Sequence, residues 1–507
     1  MHTVWGVAKA DFFERVRRFS FVAFCALAVC FTVWFVPRPT GFTALVIEPD
    51  VFRQGSDPSW VPMSAAMCDG MVLCLFGFVY ILSAVRHDRE SGVLTLLRVS
   101  PTGRAAYLFG KLLADTLLLL CLLAAVMAGA FLMMELRFPG RLLPPWDFFS
   151  PFLCVAPGLA FVSAFALLME CAPLFRRQSG FAIALFFCLS VTVLTFASMG
   201  INPFRMVSVF DFSGYLWMRD SISAAARAVT GQPVTHISIF TDSHIGGAHL
   251  ASLSFHGLIP SATYLADKLA LLGAAILLTL LAACLLPRTD KSPAADRHAV
   301  SPHAKAAAPS GSPRYGFGLF TGELHKLLGP QPLYWRVGAA GLWTACLFAP
   351  VGSVRGVLFV LIFAWLMPVF SPMGCTERRS GMADILRTVP SAMGRQAAAC
   401  WLAGAAIALT AALPVLVRLL CLADMAGFLS ALAFALLIPA AALFAGDVTG
   451  SDRPFEILLL LCAFLALNVP SLAIAEHLTA ASGTRITAAL VLSAALPLLT
   501  VGKKRAE

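Results

Sequence analysis

Charged side chains are scarce in this sequence. Asp, Glu, Lys and Arg together make up 13% of its 507 residues, about half the share usual in soluble domains. With 59% hydrophobic residues and a mean hydropathy of +0.83, the chain has too little polar surface to cover a soluble fold of this length. The alternation of polar and apolar residues that marks a membrane β-barrel is also missing, so the apolar runs must satisfy their backbones as helices. Cysteine numbers 14, yet none falls in the connections 37–61 and 200–265, and Cys25, Cys30, Cys74, Cys121, Cys188 and Cys462 lie inside apolar runs. Disulfides are not expected, and these thiols act as small hydrophobes. No Walker-type GxxxxGK[ST] occurs, and Gly110-Lys111 lacks the first glycine, having Ala105 instead. No Ser, His and Asp set, metal motif or phosphate cradle is present, so the chain is not expected to be an enzyme or to bind a cofactor itself.

What is there is a series of about a dozen apolar runs long enough to cross a hydrocarbon core of roughly 30 Å. They lie at 19–36, 61–85, 112–134, 151–174, 180–199 and 266–286, then at 337–351, 357–373, 396–420, 423–445, 455–474 and 486–501. The fold class expected is an all-α polytopic membrane protein of about 12 transmembrane helices, embedded in the lipid bilayer. The run 19–36 follows a basic segment as a signal peptide would, but VPRPTG offers no small-residue cleavage site, and it is read as an uncleaved first span. The net charge of +10 does not indicate nucleic acid, because 26 of the 37 Lys and Arg fall in every second connection: 9–18, 86–111, 176–177, 288–336, 378–395, 453 and 503–505. That bias sets membrane orientation and puts both termini in the cytoplasm. Residues 9–21, KADFFERVRRFSF, read as an interfacial helix leading into the membrane, and 317–336 as a second such approach. Between them, 287–318 is rich in Pro, Ala and Ser and is read as a disordered cytoplasmic linker. It separates a first six-helix half, 1–286, from a second, 319–507. The connection 200–265 contains FSGYLWMRDSISAAARAV, which is suited to short interfacial helices.

One connection recurs. The segment 86–111, RHDRESGVLTLLRVSPTGRAAYLFGK, is cationic yet apolar in its middle. Glu90 and Ser91 stand where a helix N-terminus favours an acid and a cap, Val93, Leu94, Leu96 and Leu97 give one apolar face, and Pro101 with Gly103 stops the turn. Its echo is 376–395, TERRSGMADILRTVPSAMGR. With Ser91-Gly92 set on Ser380-Gly381, Arg89 also matches Arg378, Leu97 matches Leu386, Arg98 matches Arg387 and Pro101 matches Pro390. The second copy has Arg379 where Glu90 stands, with Glu377 displaced, and Asp384 interrupts its apolar face.

An acidic residue, Ser-Gly, a short apolar helix and then Pro, between the second and third spans, resembles the coupling helix of type-2 ABC exporter permeases. Glu90, Ser91, Gly92, Leu96, Leu97 and Pro101 carry the likeness, with Tyr107, Gly110 and Lys111 following at the start of the third span. The amphipathic N-terminal helix, the six-span half and the large connection before the sixth span resemble that family too. The resemblance implies a permease subunit of an ABC exporter, its two halves fused, in the inner (cytoplasmic) membrane of a bacterium. It also implies that ATP is bound by separate cytoplasmic ABC ATPase subunits, and that an unidentified substrate is moved. The ATPase-coupling residues would be Glu90, Ser91, Gly92, Leu96, Leu97, Arg98 and Pro101, and in the second copy Ser380, Gly381, Leu386, Arg387 and Pro390. An apolar face can bury in a partner while Arg89, Arg98 and Arg104 pair with acidic rims.

Two other readings stand beside this one. Twelve spans in two halves also describe a secondary transporter of the major facilitator type, but the connection after the second span lacks that group's Gly-x-x-x-Asp-Arg-x-Gly-Arg pattern. A non-transporting scaffold that recruits an ATPase is the third. Among ionisable residues within the spans, Asp69 is the candidate to line a cavity, while Asp115 and Glu170, near span ends, are expected to be paired structurally. His236, His244, His249 and His256, with Asp242, have no metal-site spacing and read as solvated loop residues.

Overall fold

Helices dominate the structure, as long apolar runs without water to satisfy their backbones require. The computed structural model describes residues 2–36, 41–48, 50–82, 84–94, 103–173, 179–198, 206–231, 237–243, 250–286, 315–382, 386, 388, 392–468 and 480–506. Backbone contacts divide the chain into two units, Met1–Pro287 and Arg288–Glu507. The first runs α1 (His2–Val16), α2 (Phe19–Phe35), β1 (Gly41–Ile47), β2 (Phe52–Arg53), α3 (Trp60–Ile81), α4 (Ala84–Glu90), α5 (Arg104–Arg137), α6 (Pro145–Leu153), α7 (Ala156–Cys171), α8 (Ser179–Ser198), α9 (Met206–Val209), α10 (Tyr215–Thr230), β3 (Ile237–Ser243), β4 (Ala251–Ser252) and α11 (Ala262–Leu285). The second runs α12 (Tyr315–Leu328), α13 (Leu333–Phe348), α14 (Val351–Trp365), α15 (Met367–Phe370), α16 (Thr376–Arg379), α17 (Ala392–Cys421), α18 (Met425–Thr449), α19 (Arg453–Asn468) and α20 (Ala480–Ala506). Helix α12 begins at Tyr315, so the last four residues assigned to the linker are helical. Residues 287–314 lie outside the described residues.

Among the described residues seven helical segments are long and apolar enough to cross a membrane, and the bent pair α1 and α2 raises this to eight. The chain is therefore a polytopic helical membrane protein. At the other four expected runs stand α8, α13, α14 and α19, none of which meets the same test over its described length. Helix α14 is interrupted by a π-helical stretch, Val354–Leu358.

Each unit is built around its second apolar run. Every residue of α3 except Tyr80 is buried, which explains why α3 is apolar on all sides. In the second unit Phe359, Phe363, Met367, Val369 and Phe370 are buried in the same stretch of the pattern. The packing order also repeats. The surface helix lies on the third run (α1 on α5, α12 on α17), the first run on the third (α2 on α5, α13 on α17), and the fourth on the sixth (α7 on α11, α18 on α20).

The two long connections of the first unit fold together, which sequence periodicity did not reveal. Strand β1 pairs antiparallel with β3, Leu45 opposite Ile239, and β2 pairs in parallel with β4. Buried Gln54 closes this lobe by accepting from Ile47 N at 3.0 Å and donating to Ile47 O at 2.7 Å. Trp60 at the start of α3 donates to Leu253 O at 2.8 Å. The expected short helix is present as α10, but the strands are there as well, formed by partners far apart in the chain. A Cβ on Gly158 of α7 would fall 1.7 Å from Phe212 O, so only glycine lets this lobe seat against α7. All 14 cysteines are free thiols.

Candidate functional site

Among the described residues, the Ser-Gly turn of the repeated loop repeats in conformation as well as in sequence. In the first unit Ser91 N donates to His87 O at 2.9 Å, Gly92 N donates to Arg89 O at 3.3 Å, and Gly92 has φ of 80°. In the second, Ser380 N donates to Thr376 O at 2.9 Å, Gly381 N donates to Arg378 O at 3.3 Å, and Gly381 has φ of 69°. Both Ser-Gly pairs thus end a short helix, α4 or α16, with glycine in the left-handed conformation that closes helix C-termini. This adds to the reading of Glu90 and Ser91 as the start of a helix: Glu90 is the last residue of α4, and helix resumes at Val93 and Leu94 directly after the Ser-Gly turn. The next residue in each copy, Val93 or Met382, is 41% or 49% exposed, although both are apolar. Leu386 is half-buried and faces Glu377, Gln396 and Leu443. Leu96, Leu97, Arg98, Pro101, Arg387 and Pro390 lie outside the described residues.

Beneath the loop of the first unit lies a buried ionic junction. Tyr107, Lys111 and Asp115 are spaced by four along one face of α5, and Asp11 and Arg15 by four along α1. Lys111 bridges Asp11 of α1 and Asp88 of α4, the latter at 2.8 Å, and the Tyr107 hydroxyl donates to Asp88 at 2.6 Å. Arg15 completes the set with Asp115 at 2.7 Å and Asp11 at 2.9 Å. From the far side Glu170 of α7 accepts from the backbone N–H groups of Ala84, Val85 and Arg86 at 2.9, 2.6 and 3.0 Å. A carboxylate there satisfies orphan donors and complements the positive end of α4. Asp115 and Glu170 are structurally paired, as expected for span ends. The loop is thereby fastened to α1, α5 and α7 at once.

The second unit builds the same junction with different residues. In the register that sets Ser380 on Ser91, Glu377 stands at Asp88 and Gln396 at Tyr107; Glu377 is thus the counterpart of Asp88 and no displaced Glu90. Gln396 Nε2 donates to Glu377 at 3.0 Å and to Glu323 of α12 at 3.3 Å. The lysine has moved to the surface helix, where Lys326 lies 2.9 Å from Glu377 and 3.3 Å from Glu323. Burial alone would lower the pKa of Lys326, but the attraction of Glu377 and then Glu323 outweighs it and holds the group above its ordinary value. The ammonium stays charged at neutral pH, and its stabilising contribution is lost only as pH rises through this raised pKa. Cys400 and Gly404 stand where Lys111 and Asp115 do in the first unit. Gly404 makes room for Met373, whose Sδ would fall 3.0 Å from an added Cβ.

Close backbone contact adds to this fastening in the second unit. A Cβ on Gly446 of α18 would lie 2.0 Å from Met373 O, and one on Gly374 would lie 2.4 Å from Leu443 O.

Asp11, Asp88, Tyr107 and Lys111, with Glu323, Lys326, Glu377 and Gln396, were not singled out for this role from the sequence. The signal was present: the register found for Ser-Gly also aligns Asp88 with Glu377 and Tyr107 with Gln396. Asp69, in the middle of α3, is 2% exposed and hydrogen-bonds Thr32 of α2. His256 lies 3.8 Å from Asp147, while His236, His244 and His249 are outside the described residues. Among the described residues no three His, Cys, Asp or Glu side chains converge as metal ligands. Chemically, the junction is suited to holding the start of a surface loop on helices, with each buried carboxylate held by a cation or by backbone N–H groups. In comparison with known proteins, no family model and no curated protein matches this chain.

Proposed function

We propose that the chain is the permease subunit of a type-2 ABC transporter, an exporter whose two six-helix halves are fused in one polypeptide. It has twelve spans with both termini in the cytoplasm, and it sits in the inner membrane of a bacterium. It carries no catalysis of its own. Cytoplasmic ABC ATPases bind ATP and dock on the loops that follow the second span of each half.

The observation that carries this reading is the shared architecture of those loops. Each ends a short helix at Ser-Gly, exposes one apolar residue immediately afterwards, and rests on a junction to the surface helix and the third run. An exposed apolar residue beside a fastened Ser-Gly turn, in a segment rich in cations, offers a partner a small apolar anchor with a charged rim. Fastening to several helices lets a push on the loop move those helices together. The second copy, with fewer buried charges and Arg379 in place of Glu90, docks differently from the first.

Reconstituted in liposomes with the ATPase that co-purifies with it, the chain is expected to raise ATP turnover above that of the ATPase alone, insensitive to a protonophore. An ATPase that binds with unchanged turnover would make the chain a scaffold. Solute movement driven by a proton gradient without ATP would make it a secondary transporter.

A further inference from the structure

The second unit contains a cavity of about 360 Å³ between α14, α18, α19 and α20, apart from the loops described above. Its lining on α19 follows positions 455, 458, 459, 462, 463 and 466, a single face of that helix. Such a face runs about 16 Å, the depth of one leaflet of a hydrocarbon core about 30 Å thick. The walls are apolar, with Phe359, Phe363 and Phe455 buried among them, and Arg355 is the one charged residue among the described residues of the lining. Arg355 lies in the π-helical stretch of α14 and is held by Asp424 at 2.6 Å. Wide π turns of this kind recur at binding sites. Phe434, Leu458 and Leu492, which border the same cavity, are 36%, 44% and 47% exposed, so the cavity reaches the flank of the helix bundle.

Water does not fill a space of this lining, and an empty one forfeits the dispersion contacts of its walls. In a bilayer the apolar material at that flank is lipid tail. A guanidinium carries five donors in a planar fork, enough to serve a phosphate beside the carboxylate that orients it. We propose that this cavity holds one acyl chain of a membrane phospholipid, with the lipid phosphate at Arg355. Because lipid tails are as apolar as the walls, affinity comes from fit and from the phosphate contact. The inference does not depend on the ATPase reading.

The test uses the full chain in nanodiscs with a phosphatidylglycerol that carries a photoreactive diazirine near the end of one acyl chain. Irradiation is expected to label the cavity faces of α18 and α19 above the background on the exposed Leu413 and Leu420. Ala463→Trp, which fills the space, is expected to lower cavity labelling about tenfold and leave the background unchanged. Arg355→Gln is expected to lower labelling by this lipid but not by a diacylglycerol with the same chain, and the retained diacylglycerol labelling reports an intact fold. Labelling spread evenly around the bundle, or cavity labelling that survives Ala463→Trp, would overturn the proposal. If that variant does not fold, Ala466→Phe fills the same space and is read in the same way.

Discussion

Lys111→Met is expected to destabilise the first unit by about 3–5 kcal/mol, the usual result of removing one partner from a buried charge set. Lys111 is 3% exposed and is the bridge between Asp11 and Asp88. Without it, Asp88 keeps the Tyr107 hydroxyl and Asp11 keeps Arg15, but a buried negative charge goes uncompensated. Adding Asp88→Asn removes that charge, so the double variant is expected to be more stable than Lys111→Met alone. The counterpart in the second unit behaves differently. The Lys326 side chain is 33% exposed and pairs with Glu323 and Glu377, so Lys326→Met is expected to cost about 1 kcal/mol or less. Thermal unfolding of the four proteins in detergent checks this. Equal losses at Lys111 and Lys326 would show that the two junctions are not built as described.

A second large effect is expected at a residue with no functional group. Gly446→Ala places a Cβ 2.0 Å from Met373 O, a backbone atom that cannot swing aside. Helix α18 must then move off the turn that precedes α16, at a cost of about 1–3 kcal/mol or more. Gly273→Ala in α11 is the control, since a Cβ there meets nothing within 4 Å, and it is expected to be neutral or to stabilise by up to about 1 kcal/mol. Ranking the two variants by melting temperature decides the matter. If Gly446→Ala melts with the parent protein, the close approach of the two backbones is not required.

The helices were legible because apolar runs in a membrane have one way to satisfy their backbones. Ser91-Gly92 and Ser380-Gly381 were legible as a pair because the repeat keeps their register. Their role as helix stops was not, since an acid followed by Ser reads as the start of a helix, and only the bonds to His87 and Thr376 show that a helix also ends there. The junction was hidden for a different reason. Its lysine sits on α5 in one unit and on α12 in the other, so position-by-position matching sees Lys111 against Cys400 and finds no repeat. What is preserved is a lysine that bridges an acid on the surface helix and an acid before the Ser-Gly turn. Strands β1 and β3 escaped notice because their pairing joins residues nearly two hundred positions apart, whereas periodicity reports only on neighbours.

The most direct measurement of the proposed coupling is retention of a Walker-motif ATPase by the chain purified from native membranes with a non-hydrolysable ATP analogue. Wild type is to be compared with a variant carrying Val93→Asp and Met382→Asp, which places a charge on the exposed apolar residue of each loop and leaves the buried junctions untouched. The expected result is an ATPase bound to the wild-type chain, with affinity about tenfold or more lower in the double variant and an unchanged melting temperature. An ATPase held equally well by both proteins, or by neither, would contradict docking at these two loops.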